Sequence, residues 1–131
     1  MLFKLTVINA LVTTALAGCK YATLHNATWG LDLYNSTDCS TSKHVHHQRA
    51  TGNLKAKSPG DKVRCSKCTP LDSGMHGKIE SYVYTSTAWY LELRWYKDTK
   101  CHSQLGQQLL GKQKETDTYI PGVHAFQICT P

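Results

Sequence analysis

The chain has 131 residues, an apolar fraction of 40% and a formal net charge of +6, so there is room for one compact domain with a modest core and a basic surface. No stretch approaches the roughly twenty consecutive apolar residues that a bilayer-crossing helix needs, so no helical span is expected.

Residues 1–17 read as a secretory signal peptide. Lys4 precedes an apolar run from Leu5 to Leu16, and the small-residue pattern Ala15-Leu16-Ala17 stands before Gly18. The expected mature protein is a single secreted, extracellular domain over residues 18–131. It carries six cysteines, Cys19, Cys39, Cys65, Cys68, Cys101 and Cys129, and an even count in a small secreted chain reads as a disulfide framework. The sequons Asn26-Ala-Thr28 and Asn35-Ser-Thr37 agree with that route and mark Asn26 and Asn35 as expected glycosylation sites.

Trp29 to Cys39 begins as an alternating strand, with Leu31 and Leu33 on one face and Asp32 outward between them. The next segment is basic. Lys43, Arg49, Lys55, Lys57, Lys62, Arg64 and Lys67 face a single acid, Asp61, so this stretch holds essentially all of the net charge. Such clustering points to an anionic partner, against the plain alternative of a solvated loop. Single-stranded nucleic acid is disfavoured because no aromatic residue lies between Tyr34 and Tyr82 to stack on bases. Within the same segment, a strand through His44-Val45-His46-His47 would put His44 and His46 on one face. Zinc or copper would then need a third ligand such as His25, His76, His102 or His124, and the expectation is exposed histidines with no metal and no cofactor.

Pro59-Gly60 reads as a turn followed by a short strand, Val63 to Cys65. Cys65-Ser-Lys-Cys68 has redox or zinc spacing, but its flanks are strand-like and basic, so structural disulfides are expected. Ile79 to Tyr84 and Trp89 to Trp95 read as two strands of one hairpin joined through Thr85-Ser86-Thr87. Ser103 to Gly111, with Leu105, Leu109 and Leu110 at helical spacing, reads as a short helix, whereas Ala125 to Cys129 reads as a strand after the turn at Pro121-Gly122.

The chain also repeats itself at about sixty residues. Trp29, Leu31, Asp32 and Leu33 align with Trp89, Leu91, Glu92 and Leu93. After a two-residue insertion, Tyr34, Thr37 and Cys39 align with Tyr96, Thr99 and Cys101, and the two Pro-Gly turns keep step before Cys65 and Cys129. Two similar halves are expected, 19–66 and 67–131, with Trp29, Leu31, Leu33, Val83, Leu91 and Leu93 buried between facing sheets. If the halves match, Cys39 pairs with Cys65 and Cys101 with Cys129, leaving Cys19 for Cys68; the rival is a swapped pattern with Cys19–Cys129 or Cys65–Cys68.

For catalysis, His76, His102 or His124 with Glu80, Glu92 or Asp98 could supply an acid and a base, yet no spacing singles out a set. No nucleophile-elbow, zinc-protease or phosphate-loop motif occurs. No catalytic residue is therefore assigned.

The elements Tyr34-Asn-Ser-Thr-Asp-Cys39 and Tyr96-Lys-Asp-Thr-Lys-Cys101 resemble the folded-hairpin signature of βγ-crystallin-like Greek keys, with Cys in the second bulky position and no x-Gly after it. The resemblance implies a mostly β domain, a disulfide-stapled β-sandwich of two pseudo-symmetric Greek-key halves; the alternative is one antiparallel barrel without internal symmetry. The calcium pattern of that superfamily is not matched. Signal peptide, cysteine count and Tyr-x-x-Thr-x-Cys ends also resemble fungal small secreted cysteine-rich proteins, which include effectors and killer-toxin-like antimicrobials. That resemblance implies an extracellular protein that acts by binding, and the reading favoured here is a monomeric, non-enzymatic effector or toxin acting on a host or competitor receptor or anionic surface. The competing readings are a small secreted hydrolase such as a ribonuclease, and a carbohydrate-binding module presenting Trp89, Tyr90 or Trp95.

Overall fold

The computed structural model describes residues 19–21, 23–37, 39, 45–55, 58–87, 90–111, 113–116 and 120–131, with 113–116 given as backbone. The expected signal peptide, Lys43, His44, Lys57 and Trp89 lie outside the described residues. The fold is mostly β. Among the described residues, eight strands run β1 Trp29–Tyr34, β2 His47–Gly52, β3 Thr69–Pro70, β4 Ser81–Ser86, β5 Leu91–Tyr96, β6 Gln104–Leu110, β7 Gln113–Thr116 and β8 Ala125–Cys129. They form two four-stranded antiparallel sheets, β2-β1-β4-β7 and β3-β8-β5-β6.

Alternation decides which side chains meet between the sheets. Trp29, Leu31 and Leu33 of β1 and Tyr82 and Tyr84 of β4 share one core with Leu91, Leu93 and Trp95 of β5 and Phe126 and Ile128 of β8. The Trp95 ring makes T-shaped contacts with both Tyr82 and Phe126, with ring centroids 5.7 and 6.4 Å apart. The Tyr82 hydroxyl bonds the Gln108 side chain. Burial pushes the Tyr84 phenol up to about 12, and that of Tyr82 higher still.

Val83 falls between the two inward tyrosines and therefore points the other way. It joins Tyr34, Cys39 and Cys19 in a second cluster on the outer face of the β1 sheet, so its expected place in the central core is corrected. Residues Ile79 to Trp95 are likewise not a hairpin. Both edges of β4 are taken by β1 and β7, and both edges of β5 by β8 and β6. The two strands face one another across the core, which explains why each is so rich in aromatic residues.

The helix expected over Ser103 to Gly111 is strand β6. Leu105 and Leu109 lie four apart, a spacing that puts them on one face in a strand as well as in a helix, and the open edge of β5 decides the outcome. Val63 to Cys65 is not a strand either; Cys65 makes only an isolated bridge to Cys129. Ala125 to Cys129 is β8, as expected. Both Pro-Gly pairs form turns, with φ of 86° at Gly60 and 77° at Gly122, a region glycine enters without cost.

The disulfides are Cys19–Cys39, Cys65–Cys129 and Cys68–Cys101. All six cysteines are paired, but none with the expected partner. The spacing argument assumed that Cys65 and Cys129 end equivalent strands. In fact Cys65 is a rung beside β8, which brings it onto Cys129 itself. Cys39 sits in the β1–β2 connection over the outer cluster that Cys19 joins, and Cys101 in the β5–β6 turn reaches Cys68 at the start of β3. Cys39 and Cys101 still match locally, with φ of 56° and 57°. The Tyr34 carbonyl accepts the Glu80 N–H as the Tyr96 carbonyl accepts that of His124, at 2.9 and 2.8 Å.

Candidate functional site

The basic segment is anchored to β8 without becoming part of the sheet. Arg64 and Thr130 exchange backbone and hydroxyl bonds, Ser66 N–H donates to the Ile128 carbonyl at 2.7 Å, and Ile128 N–H donates to Ser66 Oγ at 3.0 Å. The Cys65–Cys129 disulfide pins the middle of the run. Because the backbone bonds are met there, the side chains of Lys62, Arg64 and Lys67 stand in solvent, as does that of Lys55 after β2.

Arg49 is committed differently. Its Nε donates to Asp32 Oδ1 at 2.7 Å and its Nη2 to Oδ2 at 3.3 Å, while His47 Nε2 lies 2.7 Å from the same Oδ1. Asp32 is only 1% exposed. It points away from the core as expected, but it is roofed by its cross-strand neighbours on β2 instead of being solvated. The bond to Asp32 holds the Arg49 guanidinium above its ordinary range. Tyr34 stacks on the His47 ring at 4.7 Å, and burial, with the Asp32 charge second, raises its phenol. Glu92 repeats the theme on the other sheet, buried and held by Arg94 Nε at 2.8 Å.

The remaining acid and base candidates are dispersed. His102 lies in the β5–β6 turn, where Asp98 accepts the backbone N–H groups of Lys100, His102 and Ser103. Those bonds, that of Ser103 first, pull the Asp98 carboxyl below its usual value, so the carboxylate is ordering the turn. His76 and His124 lie with ring centroids 4.6 Å apart, each turned by one nitrogen toward a backbone carbonyl, of Leu71 and Gly122 respectively. His46 rests on Gly74, where an added Cβ would sit 2.5 Å from the imidazole. Among the described residues, no three His, Cys, Asp or Glu side chains converge as metal ligands.

Trp95 is only 4% exposed and buried in the core, which corrects its candidacy as a sugar platform; Tyr90, 56% exposed, remains available to solvent. Asn26 is exposed, with φ of 55°, and Asn35 is half-buried, its Oδ1 accepting the His46 N–H at 2.8 Å.

A cleft borders this basic region. The end of β2 and the run from Ser66 to Thr69 enclose about 280 Å³ lined by Trp29, Thr51, Gly52, Asn53, Ser66, Lys67 and Thr69. Sequence reasoning missed it, and missed the Asp32–His47–Arg49 set. Both are made of cross-strand neighbours, and the signal available was the basic segment itself, from which Arg49 and Lys67 come. No protein-family model, curated protein or solved structure matches the chain.

Proposed function

We propose that this is a secreted, non-enzymatic effector or toxin-like protein that binds an anionic extracellular surface or receptor of a host or competitor through the cations between Arg49 and Lys67. The observation that carries the reading is the presentation of those cations. Lys55, Lys62, Arg64 and Lys67 are exposed, and three of them stand on a run stapled to β8 by a disulfide and backbone bonds. A merely solubilising loop has no need of that anchoring. Three disulfides in so small a chain accord with an extracellular destination, and the sequons at Asn26 and Asn35 fit it as well.

The scaffold reads as a duplicated Greek key. Taken from its other edge, the second sheet is β6-β5-β8-β3, so adding four to β2-β1-β4 yields β6-β5-β8, and the fourth strands, β7 and β3, are exchanged between halves. The matching conformations of Cys39 and Cys101 support the same correspondence. On this reading the halves meet between Ser86 and Leu91, later than residue 66. The βγ-crystallin-like resemblance then extends to the topology, while the disulfides are additions outside the symmetry.

Binding to immobilised sulfated polysaccharide or anionic vesicles should weaken steadily with salt, since exposed charges are screened beyond about 8 Å at physiological ionic strength. Changing Lys55, Lys62 and Arg64 together to Gln should remove most of it. Retention that survived both treatments would assign the charge to solubility alone.

A hydrolase is the second reading, favoured by one observation: Asp32 holds the His47 imidazole and the Arg49 guanidinium together on the outer sheet face. An oriented base beside a cation is what phosphodiester cleavage uses. No turnover is expected when purified protein is incubated with RNA, because the set lies on a sheet face with its bonds directed at Asp32. RNA cleavage abolished by His47→Ala would overturn the non-enzymatic reading.

A further inference from the structure

We propose that the outer edge of β6 pairs with the same edge of a second copy of this chain, joining two four-stranded sheets into one antiparallel sheet of eight. The proposal concerns self-association and stands whether or not the basic run binds polyanions.

Sheets ordinarily defend their edges with short strands, proline, charge or a covering segment. Three of the four edges here do so. β3 is two residues long and ends in Pro70, and β7 has four residues with Lys114 and Glu115 in its sequence. β2 carries Arg49 and is tied to the other sheet by Gln48, whose Nε2 donates to the Pro70 carbonyl at 3.1 Å and whose Oε1 accepts the Asp72 N–H at 2.8 Å. β6 differs. It lies in a stretch from Ser103 to Gly111 without charge or proline, and no strand pairs with its outer edge among the described residues. A bulge opposite Trp95 and Tyr96 interrupts its start and leaves Gly106 to Leu110 in regular register.

Which backbone groups face outward follows from the neighbouring strands. The Tyr96 carbonyl accepts the His124 N–H, and Ile128 exchanges bonds with Ser66 on its far side. Alternation therefore turns Glu92, Arg94 and Tyr96 toward β8, and Leu91, Leu93 and Trp95 toward β6. Their partners Leu110, Gln108 and Gly106 are engaged with β5. The N–H and carbonyl of Gln107 and of Leu109 are left at the outer edge, in the spacing that an extended strand complements. The leucine side chains beside them are exposed as well, Leu105 by 44% and Leu109 by 55%.

A second copy suits this edge in both register and charge. Two-fold pairing about Gln108 sets Gln107 opposite the partner's Leu109 and Leu109 opposite the partner's Gln107, so four backbone bonds satisfy every outward group of the regular segment. The two Leu109 side chains then lie diagonally across the seam, within reach of one another. Each copy carries a net charge of +6, but the basic run lies beside β8, toward the opposite edge of the sheet from β6. Two copies can therefore meet through uncharged strands without bringing those cations together, whereas a foreign strand selected by charge would find none on β6 to read. Five regular residues a side bury well below about 1,200 Å², which makes the dimer a weak one, forming on the order of 100 μM. The monomer expected from the sequence is then the dilute form.

Sedimentation velocity of the oxidised protein from about 1 μM to about 1 mM should show the mass rising from one copy toward two and no further. Over that range hydrogen exchange should slow about fivefold at the Gln107 and Leu109 amides, while those of Gly106, Gln108 and Leu110 are protected throughout. Gln107→Lys with Leu109→Lys should hold the protein at one copy, as should Gln107→Glu with Leu109→Glu. Mixing the two double variants should restore the dimer, because like charges face one another across the seam in each alone and opposite charges do so in the mixture. If a variant does not fold, the exchange pattern of the parent protein still decides. One copy at every concentration, a dimer whose Gln107 and Leu109 amides exchange as before, growth past two copies, folded variants that dimerise alone, or a mixture of them that stays single would each overturn the proposal. Protection of those two amides only on adding an uncharged threonine-valine peptide would overturn the second copy and assign the edge to a foreign strand.

Discussion

Replacing Cys65 and Cys129 together by alanine should lower stability by about 4 kcal/mol, the largest loss expected from any of the three disulfides. The chain-entropy model scales with the loop closed, and this bridge spans 64 residues, against 33 for Cys68–Cys101 and 20 for Cys19–Cys39, the last worth about 3 kcal/mol. In a domain whose total stability is about 5 to 15 kcal/mol, that loss is large. There is a functional consequence as well, because the bridge pins the run that carries Lys62, Arg64 and Lys67. Its loss should reduce polyanion affinity even under conditions where the domain stays folded, whereas loss of Cys19–Cys39 should not. Non-reducing peptide mapping should recover the three bridges as separate fragments. A fragment joining Cys39 to Cys65 would overturn this arrangement, and equal denaturation midpoints for the two double variants would overturn the ranking.

The strands that were legible in the sequence are those whose residues state their period without competition. Leu31 and Leu33 alternate with Asp32, and Ala125 to Cys129 follows a Pro-Gly turn, so β1 and β8 could be placed. β6 could not, because Leu105 and Leu109 satisfy both periods and only the open edge of β5 chooses between them. Pairing was illegible for a related reason. Ile79 to Trp95 holds two good strands close in sequence, and local chain reasoning joins neighbours; the chain instead crosses to the other sheet, where Tyr82 meets Trp95 across the core.

At the candidate site, the cations could be read as a cluster but not as a surface. Charge counting treats Arg49 and Lys62 alike, yet one is bonded to a buried carboxylate and the other is free in solvent. The disulfides failed at one assumption, that Cys65 ends a strand equivalent to β8. The repeated Tyr-x-x-x-x-Cys elements did mark two matching turns, but a bridge depends on what lies across from a cysteine. For Cys39 that is the segment before β1, and for Cys101 it is the start of β3.

The commitment of Arg49 leads to the second large effect: His47→Ala with Arg49→Ala should destabilise the domain by about 3 to 5 kcal/mol, the cost of stranding a buried charge. Asp32 is 1% exposed, and its bonds to these two side chains are what offset its desolvation. Arg49 is itself 53% exposed, so the screened attraction between the charges contributes little, and the loss comes from the carboxylate left without partners. Arg49→Ala alone should cost less, because His47 keeps its 2.7 Å contact. Adding Asp32→Leu to the double variant should restore much of the stability by replacing the stranded charge with an apolar group of similar size. Denaturant midpoints of the three variants check the order. A double variant within about 1 kcal/mol of the parent would mean that Asp32 reaches water without its partners, and that the Asp32–His47–Arg49 set is poised for chemistry instead of for holding β2 to β1.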